Sequence, residues 1–123
     1  MHYALVFVGG GVGATLRHAV NLAGARLGYA FPIGTLAVNV LGSILMGVLV
    51  AWFSLRPGID QHMKLLLTTG LLGGFTTFSA FSLDSALLWE RGAFAELVLY
   101  AGGSVVLSVA GLFAGMAAVR LLA

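Results

Sequence analysis

Of the 123 residues in this chain, 60% are hydrophobic and only 8% are charged, against roughly 25% charged in an ordinary soluble domain. With a mean hydropathy of +1.07, that composition argues against a water-soluble fold. The formal net charge of +2 is too small and too scattered for a nucleic-acid surface, and the absence of cysteine removes disulfide, thiolate and Cys-metal chemistry. A helical membrane span needs about 20 apolar residues, so the length allows roughly four spans in one domain, residues 1–123, with almost nothing outside the bilayer.

The first span is expected over about residues 3–22. No Lys or Arg precedes the apolar run Tyr3–Ala14, so a cleaved signal peptide is not expected. Gly9 and Gly13 have the small-xxx-small spacing that lets helices approach closely, and tight packing is the preferred reading of these glycines. Arg17 lies deep in apolar sequence and has two readings, a snorkelling anchor or a residue that draws anions to a vestibule. Asn21–Phe31 reads as a loop, with Arg26, Gly28 and Tyr29 at the interface. Pro32 opens the second span, about 32–55, because a first-turn proline loses no hydrogen bond. Thr35, Asn39 and Ser43 recur there at a spacing of four and share one face. Asn39 is the costly member, since an amide in hydrocarbon must find partners, and interhelical bonding competes with a lining role.

Arg56-Pro57-Gly58 ends that helix, and Asp60, His62 and Lys64 mark an aqueous loop. His2, His18 and His62 lack metal-ligand spacing and read as flanking or packing residues. The third span, about 65–89, holds the stretch Gly70–Asp84, whose chemistry is wrong for an unbroken helix. Its glycines weaken the helix, while its threonines and serines offer hydroxyls to freed backbone groups. Phe75, Phe78 and Phe81 recur every third residue, and Asp84 continues their line. Irregular backbone at membrane depth is tolerated only where protein buries it or water reaches it, which makes this stretch the candidate functional site. The fourth span, about 93–119, carries Tyr100, Ser104 and Ser108, again at a spacing of four. A lone serine there ordinarily bonds the carbonyl one turn back.

With four spans, Arg56, Lys64 and Arg120 would face one side, and Arg26 and Arg91, plus Arg17 if it reaches the interface, the other. Orientation follows the Lys/Arg bias, and here there is almost none. Such a chain can insert either way, and two copies in opposite orientations would supply the inverted symmetry that many transporters obtain by internal duplication.

Gly9-Gly10-Gly11-Val12-Gly13-Ala14 with Arg17, Thr35-Leu36-Ala37-Val38-Asn39 with Gly42, and Gly73-Gly74-Phe75-Thr76-Thr77-Phe78-Ser79-Ala80-Phe81-Ser82 resemble the Fluc (CrcB-type) fluoride channels over essentially the whole chain. The resemblance implies an all-α membrane protein with four transmembrane helices, the third broken near its middle, assembled as an antiparallel dual-topology homodimer with two pores. It implies passive export of toxic fluoride across the prokaryotic plasma membrane. By the same resemblance Phe78 and Phe81 line the pore, Asn39 faces it, and Tyr100, Ser104 and Ser108 form its polar track. Gly73 and Thr76 match positions whose carbonyls hold a structural sodium ion at the dimer centre, and Arg17 matches a vestibule arginine. His18 and Ala80 depart from the family pattern, where an aromatic and a hydroxyl residue are usual.

The chemistry suits an anion. Aromatic rings have positive edges, so Phe78 and Phe81 are expected to present edges to fluoride while Asn39 and the serines donate hydrogen bonds. Carbonyls freed at the break suit a cation. Asp84 reads as an interfacial carboxylate, with a gating or access role as its alternative. Two rival functions remain: a small proton-coupled antiporter, for which Asp84 is the only plausible acid within the third span, and a non-conducting membrane assembly subunit. No paired carboxylates, Ser-His pair or metal constellation suggests an enzyme.

Overall fold

The computed structural model describes residues 2–123, and every regular element in it is helical. Helix α1 is His2–Arg26 and α2 is Ile33–Leu55; α3, Gln61–Leu65, runs into a π-helical stretch, Leu66–Leu72, and a single turn α4, Gly73–Phe75. After two extended residues the path resumes as α5, Phe78–Glu90, and α6 is Phe94–Leu122.

Among the described residues three helices are long and apolar enough to cross a membrane: α2, the interrupted helix Gln61–Glu90, and α6. The chain is thus a multi-pass membrane protein. Helix α1 has 25 residues, about 37 Å at 1.5 Å per residue, but its glycines, Arg17 and His18 dilute its apolar character.

Local chemistry sets the ends. Asp60 caps α3 by accepting the His62 backbone N–H at 3.1 Å, which starts the helix at Gln61, ahead of the expected Leu65. Helix α1 continues through Arg26, so Asn21 lies on the helix and not in the loop that the sequence suggested. Gly28 and Gly92 then take φ of +75° and +73°, the left-handed conformation that stops a helix. At Gly92 the stop is a complete Schellman motif: Gly92 N–H donates to the Trp89 carbonyl and Ala93 N–H to that of Leu88, both at 3.0 Å.

Helix α1 lies along the π-helical stretch and α4, while α2 packs most extensively on α6. Both seams depend on missing side chains. A Cβ on Gly74 would lie 2.9 Å from the Gly10 Cα, and one on Gly13 would collide with the Leu71 carbonyl oxygen. Across the other seam a Cβ on Gly115 would meet the Ile44 carbonyl. Small residues bring helix backbones together in lipid, where no hydrophobic drive separates helix from solvent. Val38, Leu88 and Tyr100 form the fully buried centre, whereas Val98, Leu99, Val106 and Phe113 stand exposed, as surface facing lipid requires.

Candidate functional site

The site is built where the third helix breaks. Gly73 keeps helical angles (φ −62°, ψ −37°), so glycine freedom is not used there. The break falls within the expected stretch, at Thr76 (φ −86°, ψ 159°) and Thr77 (φ −152°, ψ 124°), both ordinary extended conformations. The freed backbone groups are satisfied from two directions. Thr77 caps α5 by accepting the Ala80 N–H on its Oγ1 at 3.2 Å. From α2, Asn39 clamps the Thr77 peptide: its Nδ2 donates to the Thr77 carbonyl at 3.0 Å, and its Oδ1 accepts the Thr77 N–H at 2.8 Å. One side chain thereby closes both backbone valences of a residue that is only 8% exposed.

The clamp has a consequence one turn earlier. With the Thr77 amide committed to Asn39 and the Ala80 amide to Thr77 Oγ1, the carbonyls of Gly73 and Thr76 lose their i+4 donors. Gly73 and Thr76 line a small cavity of about 150 Å³ with Gly42, Ser43 and Met46. Gly42 makes room for it, since a Cβ there would strike Thr76 Cγ2.

On the other side of the break, Asn39, Phe78, Phe81, Ser104 and Ser108 line a cavity of about 210 Å³, with Val105 and Val109 completing the wall. The Phe78 and Phe81 rings lie 5.5 Å apart at 44°, and Phe81 stacks on Tyr100 at 5.2 Å and 37°. Tyr100 is fully buried and donates its hydroxyl to Asp84 Oδ2 at 3.1 Å. The chain's helical hydroxyls divide into paired and unpaired, and Ser104 shares the unpaired state with Ser85. Thr15, Thr68, Thr76 and Ser82 each bond the carbonyl one turn back, as a helical hydroxyl ordinarily does. Ser104 does not: its Oγ is buried without a partner. A buried hydroxyl left unpaired costs about 1–3 kcal/mol, and Ser104 carries that cost in the wall of this cavity.

The structure thus brings five sequence-predicted site residues to one cavity, sets Tyr100 beside it, and places Gly73 and Thr76 at another. Arg17 is half-buried on α1 and is not among the residues lining either cavity. Thr77 was not singled out by the sequence, although a threonine three residues before a helical amide is a recognisable N-cap signal. Among the described residues no cluster of three His, Asp or Glu side chains is placed to hold a metal ion.

Comparison with known proteins gives this arrangement its relatives. The family described as CrcB-like protein, Camphor Resistance (CrcB), matches residues 4–116. The chain belongs to the CrcB family. It is 57% identical over 116 residues to the fluoride-specific ion channel FluC of Methylobacterium nodulans, covering 94% of each chain. It is 55% identical to FluC of Rhodopseudomonas palustris and 58% identical to FluC 2 of Nitrobacter hamburgensis, each over 121 residues and 98% of both chains. The CrcB match takes in the Asn39 clamp, the break and every residue lining the two cavities described above.

Proposed function

We infer that this CrcB chain is a fluoride-selective channel that lets the ion leave a prokaryotic cell passively across the plasma membrane. It is a channel and not an enzyme. The observation that carries the reading is the cavity at the break, which Asn39, Ser104 and Ser108 line together with two phenylalanines. Fluoride is small and strongly hydrated, so a pore must replace water with donors that do not bind too tightly. One of the two Asn39 amide hydrogens is committed to Thr77, which leaves the other, with the Ser104 and Ser108 hydroxyls, to donate to the anion. Phe78 and Phe81 offer positive ring edges. Arg17 raises the anion concentration at the aqueous entrance.

Helix α1 crosses the bilayer as a fourth span, and two copies pair in opposite orientations to give two pores. Phe78 supports the pairing: 77% of its surface is exposed on a single chain, although it lines the cavity, so the pore wall is incomplete until a second copy closes it. The freed Gly73 and Thr76 carbonyls are hard oxygen donors of the kind alkali and alkaline-earth cations take, and they fit a structural sodium ion shared at the dimer centre. The bound ion would offset the repulsion between those carbonyls and so hold the break open.

The test is fluoride efflux from liposomes with the wild type, Phe78→Ile and Phe81→Ile. Both variants are expected to remain folded dimers and to lose most or all flux; two variants that conduct normally would defeat the aromatic-edge mechanism. One observation favours a second reading, proton-coupled antiport: Asp84 is a carboxylate inside the third helix, bonded to Tyr100. Antiport predicts flux driven by a pH gradient, whereas the channel conducts indifferently to it.

A further inference from the structure

Beyond the cavity at the break lies a second one, of about 370 Å³, lined among others by Asn21, Tyr29, Phe31, Thr35, Ala80 and Asp84. It sits under the loop between α1 and α2. One ring touches a wall residue of each cavity without lining either. Tyr100 is 0% exposed; its ring stacks on Phe81, which lines the first cavity, and meets Phe31, which lines the second, with centroids 5.6 Å apart and planes at 89°. Its hydroxyl reaches Asp84, in the wall of the second cavity. Phe78, Phe81, Tyr100 and Phe31 thus form one continuous series of aromatic contacts from the break to the loop.

The loop holds Phe31 in place by three means. The Ile33 N–H donates to the Phe31 carbonyl at 2.8 Å, closing a tight turn over Pro32, whose ring fixes its own φ. The neighbouring Ala30 carbonyl accepts a long bond from Arg91 Nη2 at 3.5 Å, and Arg91 is steadied by Glu96 at 3.8 Å. The α5–α6 turn therefore touches the α1–α2 loop at the residue before Phe31.

We propose that Phe31 is a positioning residue for conduction: its near-perpendicular contact seats Tyr100, whose ring backs Phe81 in the pore cavity and whose hydroxyl holds Asp84 in the wall of an antechamber that forms the pore's mouth. The Phe31 and Tyr100 planes stand nearly perpendicular, a favoured geometry for an aromatic pair. An aliphatic side chain of similar volume would fill the space without fixing the ring's tilt. Tyr100 would then rock on Phe81, and Phe81 and Asp84 would lose their fixed positions in the two cavity walls. The proposal rests on the channel reading.

The experiment compares fluoride efflux from liposomes for the wild type, Phe31→Leu and Phe31→Tyr, each first shown to be monodisperse at the wild-type elution volume. Leucine keeps the volume and removes the ring, and tyrosine keeps the ring. The pair interaction corresponds to roughly a threefold to tenfold effect, so Phe31→Leu is expected to slow efflux by about that factor and Phe31→Tyr to restore the wild-type rate. Wild-type flux in Phe31→Leu, or equal slowing in both variants, would overturn the proposal while leaving the channel reading intact. A wild type that shows no fluoride efflux would remove the channel reading, and this proposal with it.

Discussion

Replacing Asn39 by leucine removes both bonds that hold the Thr77 peptide, 3.0 Å to its carbonyl and 2.8 Å from its N–H, and offers nothing in return. Two interhelical bonds at the membrane-protein average of about 0.6 kcal/mol each set a lower bound near 1 kcal/mol. Stranding two buried backbone groups at about 2 kcal/mol each sets an upper bound near 4 kcal/mol. Thr77 is only 8% exposed, so water cannot readily replace the lost partner, and the cost should fall in the upper half of that range. The assay is reversible unfolding in mixed detergent micelles, followed by the fluorescence of Trp52 and Trp89. Ser43→Ala is the control, because Ser43 shares the polar stripe yet makes none of the side-chain hydrogen bonds seen here; it should stay within about 0.5 kcal/mol of wild type. Fluoride flux through Asn39→Leu should also collapse, since the clamp both shapes the break and points a donor at the cavity. If Asn39→Leu unfolds at the wild-type midpoint, the clamp does not hold the break and the derivation of the site is wrong.

Ser104→Ala should separate function from stability: removing an unpaired buried hydroxyl leaves the unfolding midpoint equal or higher, while the fluoride efflux rate falls roughly tenfold, as loss of one donor worth about 1.4 kcal/mol implies. Gly74→Ala should destabilise the fold by about 1–3 kcal/mol, measured in the same micelles, because its Cβ meets the Gly10 backbone and no side chain can yield. Thr77→Ala loses the α5 cap bond to Ala80 and should cost about 1 kcal/mol, with the Asn39 clamp keeping the break in place.

Much of the architecture was legible because the signals were local. Apolar length marks α2, the third helix and α6, and a spacing of four puts Tyr100, Ser104 and Ser108 on one face. The glycines of the first helix were read as packing devices, and Gly13 indeed lies where no Cβ fits. What the sequence left unread is non-local. A break was expected within Gly70–Asp84, but its exact place at Thr76 and Thr77 is set by a side chain 38 positions away that satisfies the backbone there. The π-helical widening of Leu66–Leu72 leaves no trace in apolar periodicity. Spacing also could not tell whether Ser104 bonds its own helix or faces a cavity. Phe31 passed as an ordinary loop residue, since its contact with Tyr100 joins the loop to a helix far along the chain.

The measurement that bears most directly on the central claim is anion efflux from liposomes carrying the purified wild-type protein, with fluoride and chloride compared under the same gradient. Rapid, electrically uncompensated fluoride efflux with negligible chloride efflux is the result expected of a fluoride channel whose cavity is lined by Phe78, Phe81, Asn39 and two serines. Folded protein that passes neither ion, or passes chloride as readily as fluoride, would contradict it.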